Sequence, residues 1–297
     1  MNADEFFRGN LTPASFALQR ARERLRKLQT GQVGLKTKLK VLDDYVRLLP
    51  GELTAIGARS GTGKTALGMQ LVYSVLTQMI DANLTGCIAV FSAEMDGESL
   101  MLREACALEK VQLWQVLNGE ASSEEIERVD WRLSVMEGTR LLVDESPAPT
   151  LEHMIDQLSA VNEERGPIRL VLFDYTELSG EFDRDEGRRI AKISRGLKAI
   201  AKKFATPVLT LSQLNRDIES RADKTPTMRD LMHGGEREPD RILILVRSWF
   251  YDKTQPRELI AGHIVKNRNG RLGEVAFFFD EQTMRFKSAT VERKELE

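Results

Sequence analysis

The chain has 297 residues, 41% of them hydrophobic and 30% charged, with a formal net charge of −2. That balance describes a soluble globular protein long enough to bury a sizeable core, as one large α/β domain or two small ones. No apolar run reaches about 18 residues, so no membrane-spanning helix is expected. The opening MNADEFFRGN lacks the basic-then-apolar layout of a secretory signal. With the bulk charge near neutral, any nucleic-acid contact has to come from local patches. Cys87 and Cys106 fall in an apolar strand and in a helix, which suggests reduced core thiols and a cytoplasmic setting. Three histidines without ligand spacing argue against a structural zinc.

Thr12-Pro13 reads as a helix N-cap followed by proline at the first helical position. Ala14, Leu18, Ala21, Leu25 and Leu28 then step by four and three, a narrow apolar seam. The other faces are basic, with Arg20, Arg22, Arg24, Arg26 and Lys27. Such a helix is expected to dock on a neighbouring subunit, with packing against its own domain as the alternative. Thr30 to Lys40 reads as a linker. The expected layout is an N-terminal segment over 1–40, one domain over 41–287 and a charged tail over 288–297.

The next stretch is GELTAIGARSGTGKTALGMQ, Gly51 to Gln70. Leu53 to Ile56 is an apolar strand, Gly57 to Gly63 a loop of small residues, and Lys64 begins a helix. Ala58-x-x-x-x-Gly63-Lys64-Thr65 is a phosphate-binding P-loop with alanine in place of the usual first glycine. Small residues let successive backbone N–H groups turn towards phosphate oxygens, and the helix N-terminus adds its positive end. Ala58, Arg59, Ser60, Gly61, Thr62, Gly63, Lys64, Thr65 and Ala66 are therefore the expected triphosphate cradle. Lys64 would reach the β- and γ-phosphates, and the Thr65 hydroxyl would hold Mg²⁺. Leu67, Leu71, Val75 and Met79 would seat the helix on the sheet.

Beyond it, apolar runs at Cys87–Phe91, Arg140–Val143, Arg169–Phe173, Pro207–Leu211 and Arg241–Val246 alternate with helical patterns. Those patterns lie at 101–108, 113–117, 124–136, 150–164 and 183–204, and two last strands are expected near 260–266 and 274–279. Alternating strands and helices with strands apolar throughout imply a mostly parallel sheet covered on both faces. Ligands of such sheets bind at the carboxyl ends of the strands. Glu94, Asp174 and Gln213 each follow a buried strand and should converge with the P-loop on one rim. There Asp174 would make a second Mg²⁺ contact, Glu94 would orient and deprotonate the attacking water, and Gln213 would sense the γ-phosphate.

The runs GELTAIGARSGTGKTALGMQL, VFSAEM, LVLFDYTEL, PVLTLSQLNRDIESRADKTPTMRDL and IVKNRNGRLGEVAFFFD together resemble the C-terminal ATPase domain of DnaB-type replicative helicases. The resemblance runs from about Leu11 to Lys287 and implies a RecA-like α/β core with an N-terminal linker helix. It also implies a ring of usually six subunits, ATP at each interface, and single-stranded DNA in a central channel. By resemblance Glu94 is the catalytic glutamate, Asp174 the Mg²⁺-site aspartate, and Lys266 and Arg268 the basic pair that completes a neighbour's site. Read without the family, VKNRNGRLG is a basic strand end, with Asn269-Gly270 as a hairpin turn. The loop from Leu214 to Arg241 carries Arg216, Arg221, Lys224, Arg229, Arg237 and Arg241. In the family it faces the channel and grips the DNA backbone, whereas composition alone equally describes a solvated charged loop.

Three departures stand out. Family members carry a separate N-terminal collar domain that recruits primase, and here only a helix and linker precede the ATPase segment, a layout suggestive of a phage- or plasmid-encoded protein. Gly234 and Gly235 sit where channel Arg and Glu residues are usual, and would offer backbone N–H groups to phosphates instead. Glu177 stands where an amide is common. The expected function is an ATP-hydrolysing, ring-forming DNA helicase with a loader or primase as further partner and no membrane. The alternative is a RecA-like regulatory, loader or recombination-accessory ATPase that does not unwind.

Overall fold

The computed structural model describes residues 13–29, 34–215, 218, 221, 223–231 and 235–289. The chain divides into two compact units, Met1–Leu35 and Lys36–Glu297. The described part of the first is α1 (Ala14–Gln29), whose seam residues Leu18 and Leu25 are 61% and 57% exposed. Thr12 and the side chains of Arg24, Lys27 and Leu28 lie outside the described residues, as does the tail from residue 290.

The second unit is built on a nine-stranded sheet. Its strands are β1 (Leu53–Ala58), β2 (Cys87–Ser92), β3 (Leu141–Asp144), β4 (Ile168–Asp174), β5 (Val208–Gln213), β6 (Arg241–Val246), β7 (Leu259–Asn267), β8 (Gly273–Asp280) and β9 (Arg285–Ala289). They lie in the order β3-β2-β4-β5-β1-β6-β7-β8-β9. The first six are parallel; β7, β8 and β9 continue the sheet antiparallel from β6. Every residue of β1, β2 and β6 is buried, which is why these strands read as mainly apolar runs, broken only by Thr54, Ser92 and Arg241 among polar side chains.

The helices are α2 (Lys40–Asp43), α3 (Lys64–Asp81), α4 (Gly97–Glu109), α5 (Leu113–Leu117), α6 (Ser123–Glu137), α7 (Leu151–Arg165) and α8 (Glu186–Lys203). Their starts follow local chemistry: Asp96 caps α4, a Ser122–Glu125 capping box opens α6, Thr150 caps α7, and Asp185 caps α8. Alternate residues of one strand point to opposite faces. Val171, Phe173 and Val208 accordingly pack with Ile190, Ile193, Leu197 and Ile200 of α8 and Met154 and Leu158 of α7. Leu172 and Leu211 turn the other way, towards α3, where a Cβ on Gly68 would come within 3.4 Å of both. Glycine at that point permits the close helix–sheet approach. Both cysteines are buried free thiols. Among the described residues no helix is long and apolar enough to cross a membrane.

The structure adds α2, which begins at the last residue of the expected linker, and β9; the sequence carried no expectation of either. Strand β9 closes onto the P-loop helix: Gln70 Nε2 donates to the Phe286 carbonyl at 2.9 Å, and the Phe286 N–H donates to Gln70 Oε1 at 2.8 Å.

Candidate active site

Strand β1 delivers the chain to a loop whose glycines adopt conformations open to few other residues. Gly61 has φ +77° and Gly63 φ +97°, both left-handed. Gly63 is the N-cap of α3, and the first N–H groups of that helix have no acceptor within it. They open into a cavity of about 350 Å³ lined by Gly61, Gly63, Lys64, Thr65 and Ala66. A Cβ on Gly63 would stand 3.0 Å from Phe286 Cζ and 3.2 Å from Phe279 Cζ. Gly63→Ala combines left-handed strain of about 1–2 kcal/mol with this contact. Its expected outcome is a melting temperature lower by several degrees, read by thermal unfolding; an unchanged melt would show that the loop relaxes freely.

The acids expected at the strand ends are present around this loop. Thr65 Oγ1 donates to Asp174 Oδ2 at 2.8 Å, and Asp174 Oδ1 is buried without a partner. Burial pushes the Asp174 carboxyl up to about 6, with the Thr65 hydrogen bond working the other way. A hydroxyl bonded to a buried carboxylate with one idle oxygen is a donor set that suits Mg²⁺, a hard cation that takes oxygen ligands. The Ala93 N–H donates to the Asp174 carbonyl at 2.8 Å, tying the segment that carries Glu94 to the end of β4. Lys64 is 8% exposed, and burial lowers its pKa against the pull of Glu177, Asp174 and Glu94. Its Nζ lies 5.0 Å from the centre of the Tyr175 ring.

Gln213 ends β5 directly beside Ala58 in the β1–β5 register and lines the cavity. Its N–H donates to Glu177 Oε1 at 3.0 Å, and the Ser212 hydroxyl donates to the same oxygen at 2.7 Å. Arg59 Nη1 donates to the Leu214 carbonyl at 3.2 Å, so the P-loop is bonded to the first residue of the basic loop. Lys64, Thr65, Glu94, Asp174 and Gln213 thus share one rim.

Sequence reasoning missed the far wall of the cavity: Arg103, Arg257, Phe279, Glu281 and Met284. Arg257 pairs with Glu281 at 2.7 Å, and the buried Arg247 pairs with the same carboxylate. These residues come from α4, the β6–β7 connection and the β8–β9 hairpin, and no local motif marks them. The register of the antiparallel extension would have been needed to find them.

Lys266 and Arg268 lie elsewhere. Strand β7 runs antiparallel to β6, with Asn267 opposite Arg241, so this basic pair sits at the opposite rim from the chain's own P-loop. Lys266 Nζ donates to the carbonyls of Glu236 and Arg237 at 2.7 and 2.8 Å. Arg268 is 53% exposed and stands 3.6 Å from Asp240 Oδ1. Asp240 also accepts from Lys198 Nζ at 2.6 Å and from the Leu53 N–H at 2.8 Å.

The basic loop is partly folded on itself. Leu214 bridges Leu231, and Ile218 is fully buried. Arg221 pairs with the buried Asp230 at 2.8 Å, and Lys224 donates to the Arg221 carbonyl at 2.6 Å. Arg229 is exposed, and the Gly235 carbonyl accepts from Ser194 Oγ at 3.3 Å. Arg216 and Gly234 lie outside the described residues. Arg241, counted with the loop in the sequence, instead opens β6, buried in an ion pair with Glu52. Buried against Glu52, its guanidinium has no route to an outside phosphate.

The comparisons with known proteins agree with this geometry. A solved ATPase domain superimposes with a TM-score of 0.83 at 21% identity, covering 95% of this chain and 100% of that one. A DnaB-like replicative helicase studied with its interactions with primase superimposes with a TM-score of 0.79, also at 21% identity, over 96% and 68% of the two chains. Replicative DNA helicase DnaB of Buchnera aphidicola subsp. Acyrthosiphon pisum (strain APS) is 32% identical over 263 residues, 86% of this chain and 56% of that protein. Replicative DNA helicase DnaC of Bacillus subtilis (strain 168) is 30% identical over 241 residues, 79% and 52% of the two chains. The chain spans about half the length of the curated relatives it matches. The model of the DnaB-like helicase C terminal domain matches residues 34–288. With that match over most of its length, on an α/β sheet whose strand ends hold a P-loop and its acids, the chain belongs to the DnaB-like helicase C-terminal domain family.

Proposed function

We propose that this chain is the motor of a ring-forming DNA helicase that uses ATP to translocate on single-stranded DNA in replication. The observation that carries the reading is the division of charge between two rims. Lys64, Thr65, Glu94, Asp174 and Gln213 share one rim, while Lys266 and Arg268 stand at the other. A site so divided is completed only when the far rim of one subunit meets the near rim of the next.

In this reading residues 58–66 hold the triphosphate, and Thr65 and Asp174 hold Mg²⁺. The metal, when bound, neutralises charge developing on the phosphate oxygens. Glu94 orients and deprotonates the attacking water. Gln213 hydrogen-bonds the γ-phosphate region and transmits its state to the basic loop through Leu214. Lys266 and Arg268 supply cations to the neighbour's site. The basic loop, with Arg216, Arg229 and the backbone at Gly234 and Gly235, contacts the DNA backbone without reading sequence. Its Arg221 and Lys224 serve that role once released from Asp230 and the Arg221 carbonyl. The 1–40 segment docks through α1 on an adjacent subunit of a ring of six, and the 41–287 segment is the motor. A primase or loader is the further partner, and the cytoplasm the setting.

The test is strand displacement on a forked substrate, beside light scattering with a non-hydrolysable ATP analogue. Unwinding by the wild type, its loss in Glu94→Gln, and a species of about six subunits are the expected results. One observation favours the second reading, a RecA-like switch or loader: Arg221 and Lys224 are spent on contacts within their own loop. ATP hydrolysis indifferent to DNA, without strand displacement, would establish that reading instead.

A further inference from the structure

We propose that Asp240 is the positioning residue for Arg268, within a mount, residues 235–240, on which the end of the basic loop carries both cations offered to the neighbouring subunit. The inference rests on the reading that Lys266 and Arg268 act in trans.

The mount is fixed to α8 and to β1. Ser194 Oγ donates to the Gly235 carbonyl at 3.3 Å, Arg195 Nε stands 3.7 Å from Glu238 Oε1, and Lys198 Nζ donates to Asp240 Oδ2 at 2.6 Å. Ser194 and Lys198 are one helical turn apart, so they reach the segment from the same face. Asp240 is also stitched to the start of β1. Its N–H donates to the Leu53 carbonyl, and its Oδ2 accepts the Leu53 N–H, both at 2.8 Å.

From this base the segment turns its acceptors towards the end of β7. The Glu236 and Arg237 carbonyls hold Lys266 Nζ. The Arg237 carbonyl also accepts from Arg268 Nη2 at 3.5 Å, and Asp240 Oδ1 lies 3.6 Å from Arg268 Nη1. The chain beside Arg268 is held independently: Asn267 Nδ2 donates to the Tyr45 carbonyl at 3.0 Å, and Asn269 Nδ2 donates to Glu52 Oε1. What remains to be placed is the guanidinium, at the end of a long side chain that is half exposed.

Carbonyl oxygens orient a cation without cancelling its charge. The Asp240 carboxylate could cancel it, but its Oδ2 is taken by Lys198. Arg268 is left with the longer contact to Oδ1, which water screens. The guanidinium is thus aimed, yet free to exchange this partner for phosphate oxygens, which arginine meets with two parallel N–H groups. Asp240 acts through Arg268 and touches no nucleotide. At its other end, Leu214, the same loop is bonded to Arg59 of its own P-loop, so its two ends serve two different sites.

The experiment compares ATP turnover by the wild type, Asp240→Asn and Lys198→Met, and by Asp240→Asn mixed with Glu94→Gln subunits. An asparagine keeps an oxygen for Lys198 and the Leu53 N–H and removes the charge that faces Arg268. Asp240→Asn should lower kcat by up to about a hundredfold, the cost of displacing a group at the reacting centre by about 1 Å, with KM little changed. Lys198→Met removes the other partner of Asp240 but leaves Arg268 its carboxylate, and should turn over ATP as the wild type does. An equal loss in both variants would show that Asp240 serves only the packing of α8 against β1, and would overturn the proposal.

Mixing gives the readout that a structural role would not move. Asp240→Asn subunits retain Glu94, and a Glu94→Gln neighbour presents an Arg268 held by an intact Asp240. Activity at intermediate ratios should therefore exceed the sum of the two variants measured apart. A defect confined to the β1 and P-loop of the Asp240→Asn subunit could not be restored by any neighbour, so absence of rescue would also overturn the proposal. Asp240→Glu keeps the charge but moves it by one methylene. It should show a smaller loss with the same rescue, and it serves as the readout should Asp240→Asn melt below the assay temperature. The mixture of Arg268→Ala with Glu94→Gln separates the two levels of inference. No rescue there removes the trans reading itself, whereas rescue there without rescue of Asp240→Asn removes only the mount.

Discussion

Lys64→Ala should lower ATP turnover by about a hundred- to a thousandfold, the usual loss when a preorganised donor to the reacting phosphate is removed. The electrostatics of the site make a loss at the upper end the expected one. Lys64 is the buried cation on which Glu177, Asp174 and Glu94 all act. Its removal leaves three acids facing a polyanion, so nucleotide affinity should fall along with turnover. A coupled ATPase assay at saturating nucleotide reports the first effect, and a fluorescent-nucleotide titration the second. Turnover within a factor of two of wild type would reject the assignment of residues 58–66 as the phosphate cradle.

Arg268→Ala has the second large expected effect. A cation supplied to a phosphoryl-transfer site from outside is worth roughly 10³–10⁵ in rate. Arg268 is half exposed at the rim opposite its own P-loop, with its backbone N–H bonded to the Asp240 carbonyl at 2.9 Å and its guanidinium facing the Asp240 carboxylate. Loss of rate alone would not tell a neighbour's site from the chain's own, but mixing does. Arg268→Ala subunits retain Glu94, and Glu94→Gln subunits retain Arg268. In a mixed ring, an interface of the right polarity joins an intact arginine to an intact glutamate. Activity should reappear at intermediate ratios and vanish for either variant alone. Two inactive variants that stay inactive at every ratio would exclude action in trans.

The parallel half of the fold was open to reading because its signals are local. A strand buried on both faces is apolar nearly throughout, and Cys87–Phe91 and Ile242–Val246 obey that rule. Helices α6 and α7 announce themselves by Ser122 with Glu125 and by Thr150, side chains that satisfy the first free N–H groups. The near wall of the site was legible for the same reason: a P-loop is one contiguous run, and Glu94, Asp174 and Gln213 each follow a strand. The far wall was not. Phe279, Phe286 and the Arg257–Glu281 pair reach the P-loop through antiparallel pairings whose register depends on residues scattered over β6 to β9. Arg241 misled because its sequence neighbourhood is basic, while its burial is decided by Glu52, 189 positions away.

The two hydrogen bonds between Gln70 and Phe286 join positions 216 residues apart. Phe286 and Phe279, with ring centres 4.6 Å apart, form the surface against which Gly63 rests. On the ribosome the P-loop is therefore made long before its backing exists. At synthesis rates of about 5–20 residues per second, the interval is roughly 10–40 s. Throughout it the nascent chain carries its phosphate-binding glycines without the aromatic wall that braces them. Premature termination anywhere between Ala66 and β9 yields a product with every residue of the motif and no finished cradle.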